Sequence, residues 1–263
     1  MDYNGRHRNA DPPGSLLPRR AVLLGGGILA TGAAFGVVGT LGSSPERSAR
    51  QASATPDEAS REDSPRASRK SRKPGKSATA PLIHATERWG AREAERTATV
   101  KSGPKYIVVH HTFTDNVDDY SLAQAQRLAR SIQNVHMDQG WGDTGQQFTI
   151  SRGGHVLEGR TGSLAAARDG EMVVGTHVAG ANDFSVGIEC EGTYNTVMPP
   201  RRLLASLVRM CAWLSVQYDL NPHEAIVPHM KFNDTDCCGY KFAPTLPRLR
   251  DEVAKAVPAK LLA

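Results

Sequence analysis

The stretch Lys105–Asn116 reads KYIVVHHTFTDN. Its first half is a β-branched run apolar enough to be a buried strand, yet it ends in two adjacent histidines, His110 and His111. Histidine is seldom fully buried unless its ring nitrogens have partners. A later segment must supply such a partner, or the strand must end at a wet or metal-filled pocket. Side chains on a strand alternate between faces, so the two histidines point to opposite sides. At most one of them can serve such a pocket while the strand stays regular.

A partner is on offer downstream in VPHMKFNDTDCCGY, Val227–Tyr240. His229 ends another short strand, and Cys237 follows a loop rich in Asn and Asp. Two histidines at strand ends and a cysteine on a loop provide N, N and S donors. Three protein ligands with an open fourth position is the form of a catalytic zinc site, whereas closed structural sites use four. Spacing alone leaves two other readings open. His229 can be an ordinary hydrogen-bonded residue, or Cys237 can be a nucleophile with His229 as its base. The second needs a lowered thiol pKa and a base within reach, and it leaves the remote histidine unused.

The chain has 263 residues, 39% hydrophobic and 22% charged, which suits one ordinary domain with appendages. Its formal charge of +5 is unevenly spread: residues 81–263 hold 19 Lys/Arg against 20 Asp/Glu, a net of −1. The basic excess belongs to the first 80 residues, so the folded part carries no bulk electrostatic footprint for nucleic acid. Within residues 1–42, Arg19 and Arg20 directly precede an uncharged Gly/Ala-rich stretch, Ala21–Gly42. Paired arginines before such a stretch resemble a twin-arginine export signal. The stretch is also long enough to span a bilayer of roughly 30 Å as an N-terminal membrane anchor. Either reading puts the remainder outside the cytoplasm, secreted or associated with the cell wall or membrane. Residues 43–80 contain no Leu, Ile, Val, Met, Phe, Tyr or Trp. Such a tract cannot bury enough apolar surface to offset its ordering entropy, and a disordered linker is expected.

From residue 81 to 263 apolar runs and turn signals alternate. Tyr106–His111 reads as a strand. Ser121-Leu-Ala-Gln124 has the form of a capping box and opens a helix with Ala125, Leu128, Ile132 and Val135 on its apolar face and Gly140 as its stop. GQQFTISRGGHVLEGR reads as a hairpin turning at Arg152–Gly154. In SVGIECEG, Val186, Ile188 and Cys190 oppose Gly187, Glu189 and Glu191. A helix is expected over about Arg201–Tyr218, with Leu204, Leu207, Cys211 and Leu214 inward. AIVPHM is a last short strand and LPRLRDEVAKAV a closing helix. This alternation implies one α/β domain with a central mixed sheet flanked by helices, expected to act as a monomer. Four cysteines in an exported chain permit a disulfide, while Cys190 and Cys211 suit burial as small apolar residues.

Four segments occur in a telling order: YIVVHHT, GWGDTGQQFTISRGGHVLEGR, GTHVAGANDFSVGIECEGTY and PHMKFNDTDCCG. Together they resemble the peptidoglycan recognition protein and type 2 N-acetylmuramoyl-L-alanine amidase family, over residues 84–255, and WGAR at Trp89–Arg92 resembles the opening segment of the recognition-protein branch. The resemblance implies zinc ligands at His110, His229 and Cys237, leaving His111 to support or packing. Zinc there would polarise the lactyl-amide carbonyl and acidify a water. It further implies Glu189 as general base, Thr235 close to the substrate oxyanion, and His177 and Asn182 along the groove that takes a muramyl peptide. Where many active members carry tyrosine this chain has Gln146, whose amide can donate a hydrogen bond in its place. Cys238 stands where proline usually follows the ligand cysteine. Neither change removes a ligand. The expected activity is hydrolysis of the amide between the muramoyl lactyl group and L-alanine of the peptidoglycan stem peptide. The alternative is a module that binds peptidoglycan without cutting it.

Overall fold

The computed structural model describes residues 78–96 and 98–263. The twin-arginine leader and nearly all of the 43–80 tract lie outside them. Among the described residues no helix is long and apolar enough to cross a membrane. In chain order the elements are β1 (Ile83–His84), α1 (Thr86–Trp89), β2 (Val100–Ser102), β3 (Tyr106–His111), α2 (Leu122–Asp138), β4 (Phe148–Ile150), β5 (Val156–Glu158), α3 (Ser163–Arg168), β6 (Glu171–Val173), β7 (Ser185–Cys190), α4 (Arg201–Tyr218), α5 (Pro222–Ala225), β8 (Ile226–Pro228) and α6 (Leu246–Ala254).

Six strands form one sheet in the order β1-β5-β4-β7-β3-β8, and β2 and β6 form a separate antiparallel pair. Only the β4–β5 hairpin is antiparallel within the large sheet; β4, β7, β3 and β8 run parallel, with β8 at the edge. Parallel strands buried on both faces read as continuous apolar runs, which is why Ile107, Val108 and Val109 are all fully buried. Ile107 and Val109 join Val186, Ile188 and Cys190 in a core with Leu207, Met210, Cys211 and Leu214 of α4 and with α6. The opposite face meets α1 and α2, where Trp89, Ala125, Ala129 and Leu157 pack together.

Local chemistry sets the ends of these elements. Ser121 Oγ accepts the backbone N–H of Gln124 at 3.1 Å and starts α2, as its capping pattern implies. Glu158 is buried, and its carboxylate accepts the N–H of Thr86 at 3.3 Å and of Leu164 at 2.8 Å. One acid therefore joins the first turns of α1 and α3, while burial raises its pKa. The Glu158 carbonyl accepts the Trp89 indole N–H at 2.8 Å. Arg152, buried at the hairpin turn, donates to Val117 O at 2.7 Å and to Asn116 Oδ1 at 2.9 Å. It thereby ties down the loop that follows β3.

One expectation needs correction, and two features go beyond what the sequence decided. Val135 is 51% exposed; the buried stripe of α2 continues instead through Gln133 and Met137, because Gln133 spends its amide on Arg92 and Asp143. All four cysteines are free and buried, so the permitted disulfide is not formed. The pair β2–β6 was not legible in sequence, being short and exposed on β2.

Candidate active site

Strands β3, β7 and β8 end at the same edge of the sheet, and each delivers one reactive group there. His110 is the register partner of Glu189. Pro228 pairs with Val109, so His229 emerges beside the end of β3. The loop then folds back, with Met230 N–H donating to Cys237 O at 3.0 Å. As alternation requires, His111 faces the other way, where its Nδ1 accepts the Tyr194 N–H at 3.2 Å.

His110 Nδ1 lies 3.1 Å from His229 Nδ1 and 3.6 Å from Cys237 Sγ, and the three donor atoms all fall within 4.8 Å of one another. A tetrahedral ion with bonds of about 2.0 Å to nitrogen and about 2.3 Å to sulfur needs separations of about 3.3 Å and about 3.6 Å. The surrounding hydrogen bonds fix the ring protons. Asn233 donates its Nδ2–H to Ala179 O at 3.3 Å, so its Oδ1 faces His229 Nε2 at 3.0 Å and must accept that N–H. The Nδ1 of His229 is then a bare lone pair directed at His110. Sγ of Cys237 accepts the backbone N–H of His111 at 3.3 Å, a contact that favours a thiolate.

Burial, followed by the neighbouring histidines, holds the pKa of His110 well below its ordinary value. Burial likewise lowers that of His229. Two neutral imidazoles presenting nitrogen at 3.1 Å, beside a sulfur, are a repulsive set unless something electron-poor sits among them. The donors present fit a divalent ion that prefers nitrogen and sulfur. Burial also pushes the Cys237 thiol upward, the reverse of what an activated nucleophile requires.

The three donors open onto a cleft of about 460 Å³, also lined by Glu189, Gln146, Thr235 and His177. Burial raises the Glu189 carboxyl to about 8. Thr235 Oγ1 accepts the Cys237 N–H at 3.2 Å, which leaves its own proton available. Gln146 is fully buried; its Nε2 donates to Thr149 Oγ1 at 2.9 Å, and its Oε1 has no partner among the described residues. His177 reaches His110 through a 3.0 Å Nδ1···Nε2 contact. Asn182, expected along the groove, is absent from the cleft lining. Its Oδ1 instead accepts the N–H groups of His177 and Val178 at 2.8 and 3.0 Å, because a carboxamide at the start of a short turn satisfies backbone donors first.

The lining residues to which sequence reasoning gave no part in the site include His136, Trp141 and Phe113. His136 and Trp141 stack with centroids 4.5 Å apart and form one wall. The signal lay in the Gly140 turn between them, since a helix end followed by a left-handed glycine folds its flanks together. Phe113 is 67% exposed at the rim, in a left-handed conformation with φ of 58°, and nothing in the sequence announces it.

Residues 100–240 match the family model described as N-acetylmuramoyl-L-alanine amidase. The chain belongs to this family. Among curated relatives of this amidase-family chain, peptidoglycan-recognition protein LB of Drosophila melanogaster is 29% identical over 163 residues, 62% of this chain and 66% of that protein. The chain thus spans just under two thirds of that relative's length. Peptidoglycan recognition protein 1 of Bos taurus is 27% identical over 62% of this chain and 83% of its own. The solved structure of Drosophila PGRP-LB aligns with a TM-score of 0.53 at 26% identity, covering 66% of this chain and 92% of that one. A PGRP-LB point mutant solved in complex with tracheal cytotoxin gives 0.54 at 26%, covering 62% and 92%. For fold alone, the Clostridium intestinale endolysin amidase LysCS gives 0.52 at 22%, covering 68% and 96%.

Proposed function

We propose that this domain is a zinc-dependent amidase that hydrolyses the bond between the muramoyl lactyl group and L-alanine of the stem peptide. The observation that carries this reading is the convergence of His110, His229 and Cys237 on a cleft that also holds Glu189. His110, His229 and Cys237 would hold the ion; when bound, zinc supplies a Lewis acid that polarises a carbonyl and acidifies water.

The remaining work falls to the chain's own side chains. Glu189 is the base that takes a proton from the attacking water and returns it to the leaving amide nitrogen. Its place in register with His110 supports that role. The Thr235 hydroxyl donates to the developing oxyanion. Gln146 orients the reacting carbonyl or water from the cleft wall, and the His136–Trp141 stack and Phe113 provide apolar and aromatic surface for the glycan–peptide. The leader, read as an export signal or anchor, would deliver this monomeric domain to the compartment where peptidoglycan lies.

Gln146 in place of tyrosine favours a second reading, a recognition module that binds muramyl peptide and leaves it intact. Digestion of purified cell wall, with new L-alanine amino termini counted before and after chelation, separates the two. Chelator-sensitive release is expected. Wall that retains the protein yet gains no amino termini would leave only the recognition module.

A further inference from the structure

The side chain behind His110 explains why that ring presents Nδ1 to the centre. His177 Nε2 lies 3.4 Å from the carbonyl oxygen of Ser185. A carbonyl only accepts, so His177 carries its proton on Nε2, and its Nδ1 is an acceptor. That Nδ1 sits 3.0 Å from His110 Nε2, so His110 must in turn be protonated on Nε2. Its remaining nitrogen, Nδ1, is then a lone pair pointing at His229 and Cys237. One backbone carbonyl thus dictates, through two rings, which nitrogen of His110 is free.

The chain gives up side chains to hold this arrangement. A Cβ on Gly187 would lie 2.6 Å from His177 Nδ1 and 2.7 Å from its Cγ; one on Gly175 would lie 2.7 Å from its Cδ2. Gly187 is fully inside β7, a position where glycine otherwise weakens a strand. The slot left by the two glycines admits the imidazole edge-on to His110, at a ring angle of 87°. Asn182 fixes the other end by accepting the His177 backbone N–H. Ser185, which supplies the terminal carbonyl, is anchored through its hydroxyl to Ala181 O at 2.7 Å.

We propose that His177 is a positioning residue, whose Nδ1 accepts the His110 Nε2–H and thereby locks the imidazole of His110 in the metal-binding tautomer. The inference rests on the zinc reading above, and it assigns to His177 a task other than substrate contact. Hydrogen bonds to the distal nitrogen of a ligating histidine orient the ring and raise its basicity, and their loss weakens metal binding about 10- to 100-fold.

The test uses the full chain and zinc itself, with affinity read by competition against a chromophoric chelator. His177→Phe keeps a ring in the slot and removes the acceptor; zinc affinity should fall about 10- to 100-fold. His177→Asn places a carboxamide oxygen near the Nδ1 position and should restore most of it. In the zinc-loaded wild type, nitrogen NMR should find both His110 and His177 protonated on Nε2 alone. Unchanged zinc affinity in His177→Phe with only KM raised, or a proton on His177 Nδ1, overturns the proposal. If His177→Phe does not fold, the NMR measurement decides. A wild-type chain that takes up no zinc overturns the amidase reading and this inference with it. A zinc-binding wild type whose phenylalanine variant binds equally well overturns this inference alone.

Discussion

If His110, His229 and Cys237 hold zinc as proposed, removing the ion should cost stability in a way that depends on zinc concentration. The three donors belong to positions 110, 229 and 237, separated in sequence by 119 and 127 residues from the first, so an unfolded chain cannot gather them. An ion that binds only the native state stabilises it by about 2.7 kcal/mol at a free concentration 100 times Kd, and by about 4.1 kcal/mol at 1,000 times. For a domain of this size each kcal/mol moves Tm by about 2–4 °C. Saturation at 100 times Kd should therefore raise Tm by about 5–11 °C over the chelated protein, and each further tenfold in zinc by about 3–6 °C. Relief of the 3.1 Å nitrogen–nitrogen contact acts in the same direction. Calorimetric melts across a zinc-buffered series test this, with Cys237→Ala as the control whose Tm should ignore zinc. A wild-type Tm that stays flat across the series, or a Cys237→Ala Tm that climbs with it, refutes the assigned centre.

Other perturbations probe separate parts of the argument. Glu189→Gln should lower kcat about 10²- to 10⁴-fold while leaving zinc content intact; retained activity would remove Glu189 from the mechanism. Gly187→Ala should destabilise the domain by about 1–3 kcal/mol through overpacking, since its methyl would meet the His177 ring at 2.6 Å; an unchanged urea midpoint would show that the slot is loose. Trp89→Phe removes the indole donor to Glu158 O and should cost about 1–3 kcal/mol for the stranded buried carbonyl, with no change in kcat. An effect on kcat there would mean that the α1 face communicates with the cleft.

The parts of the fold written in local chemistry were readable from sequence. The bounds of β3 followed from its β-branched run, those of α4 from helical periodicity, and the start of α2 from Ser121. Strand order was not readable, because it depends on which apolar faces meet after the helices cross. The same contrast holds at the site. The resemblance pointed to His110, His229 and Cys237, and the structure brings their donor atoms together. His136, Trp141 and Phe113 were given no part in the site because an aromatic at a helix end or in a loop has no periodic signature. Gly187 was placed by alternation on the strand face of Glu189 and Glu191, but its reason lies in a ring ten residues earlier in the chain. Val135 fitted the helical stripe by spacing, yet Gln133 took the buried place because it had partners to satisfy it.

Strand β3 sits between β7 and the edge strand β8, and β8 follows α4 in the chain. A nascent or clipped chain that stops short of Ile226 has one of the three donors and no third wall to its groove. On the zinc reading proposed above, only the finished sheet would present all three donors, and partly built copies would lack the set.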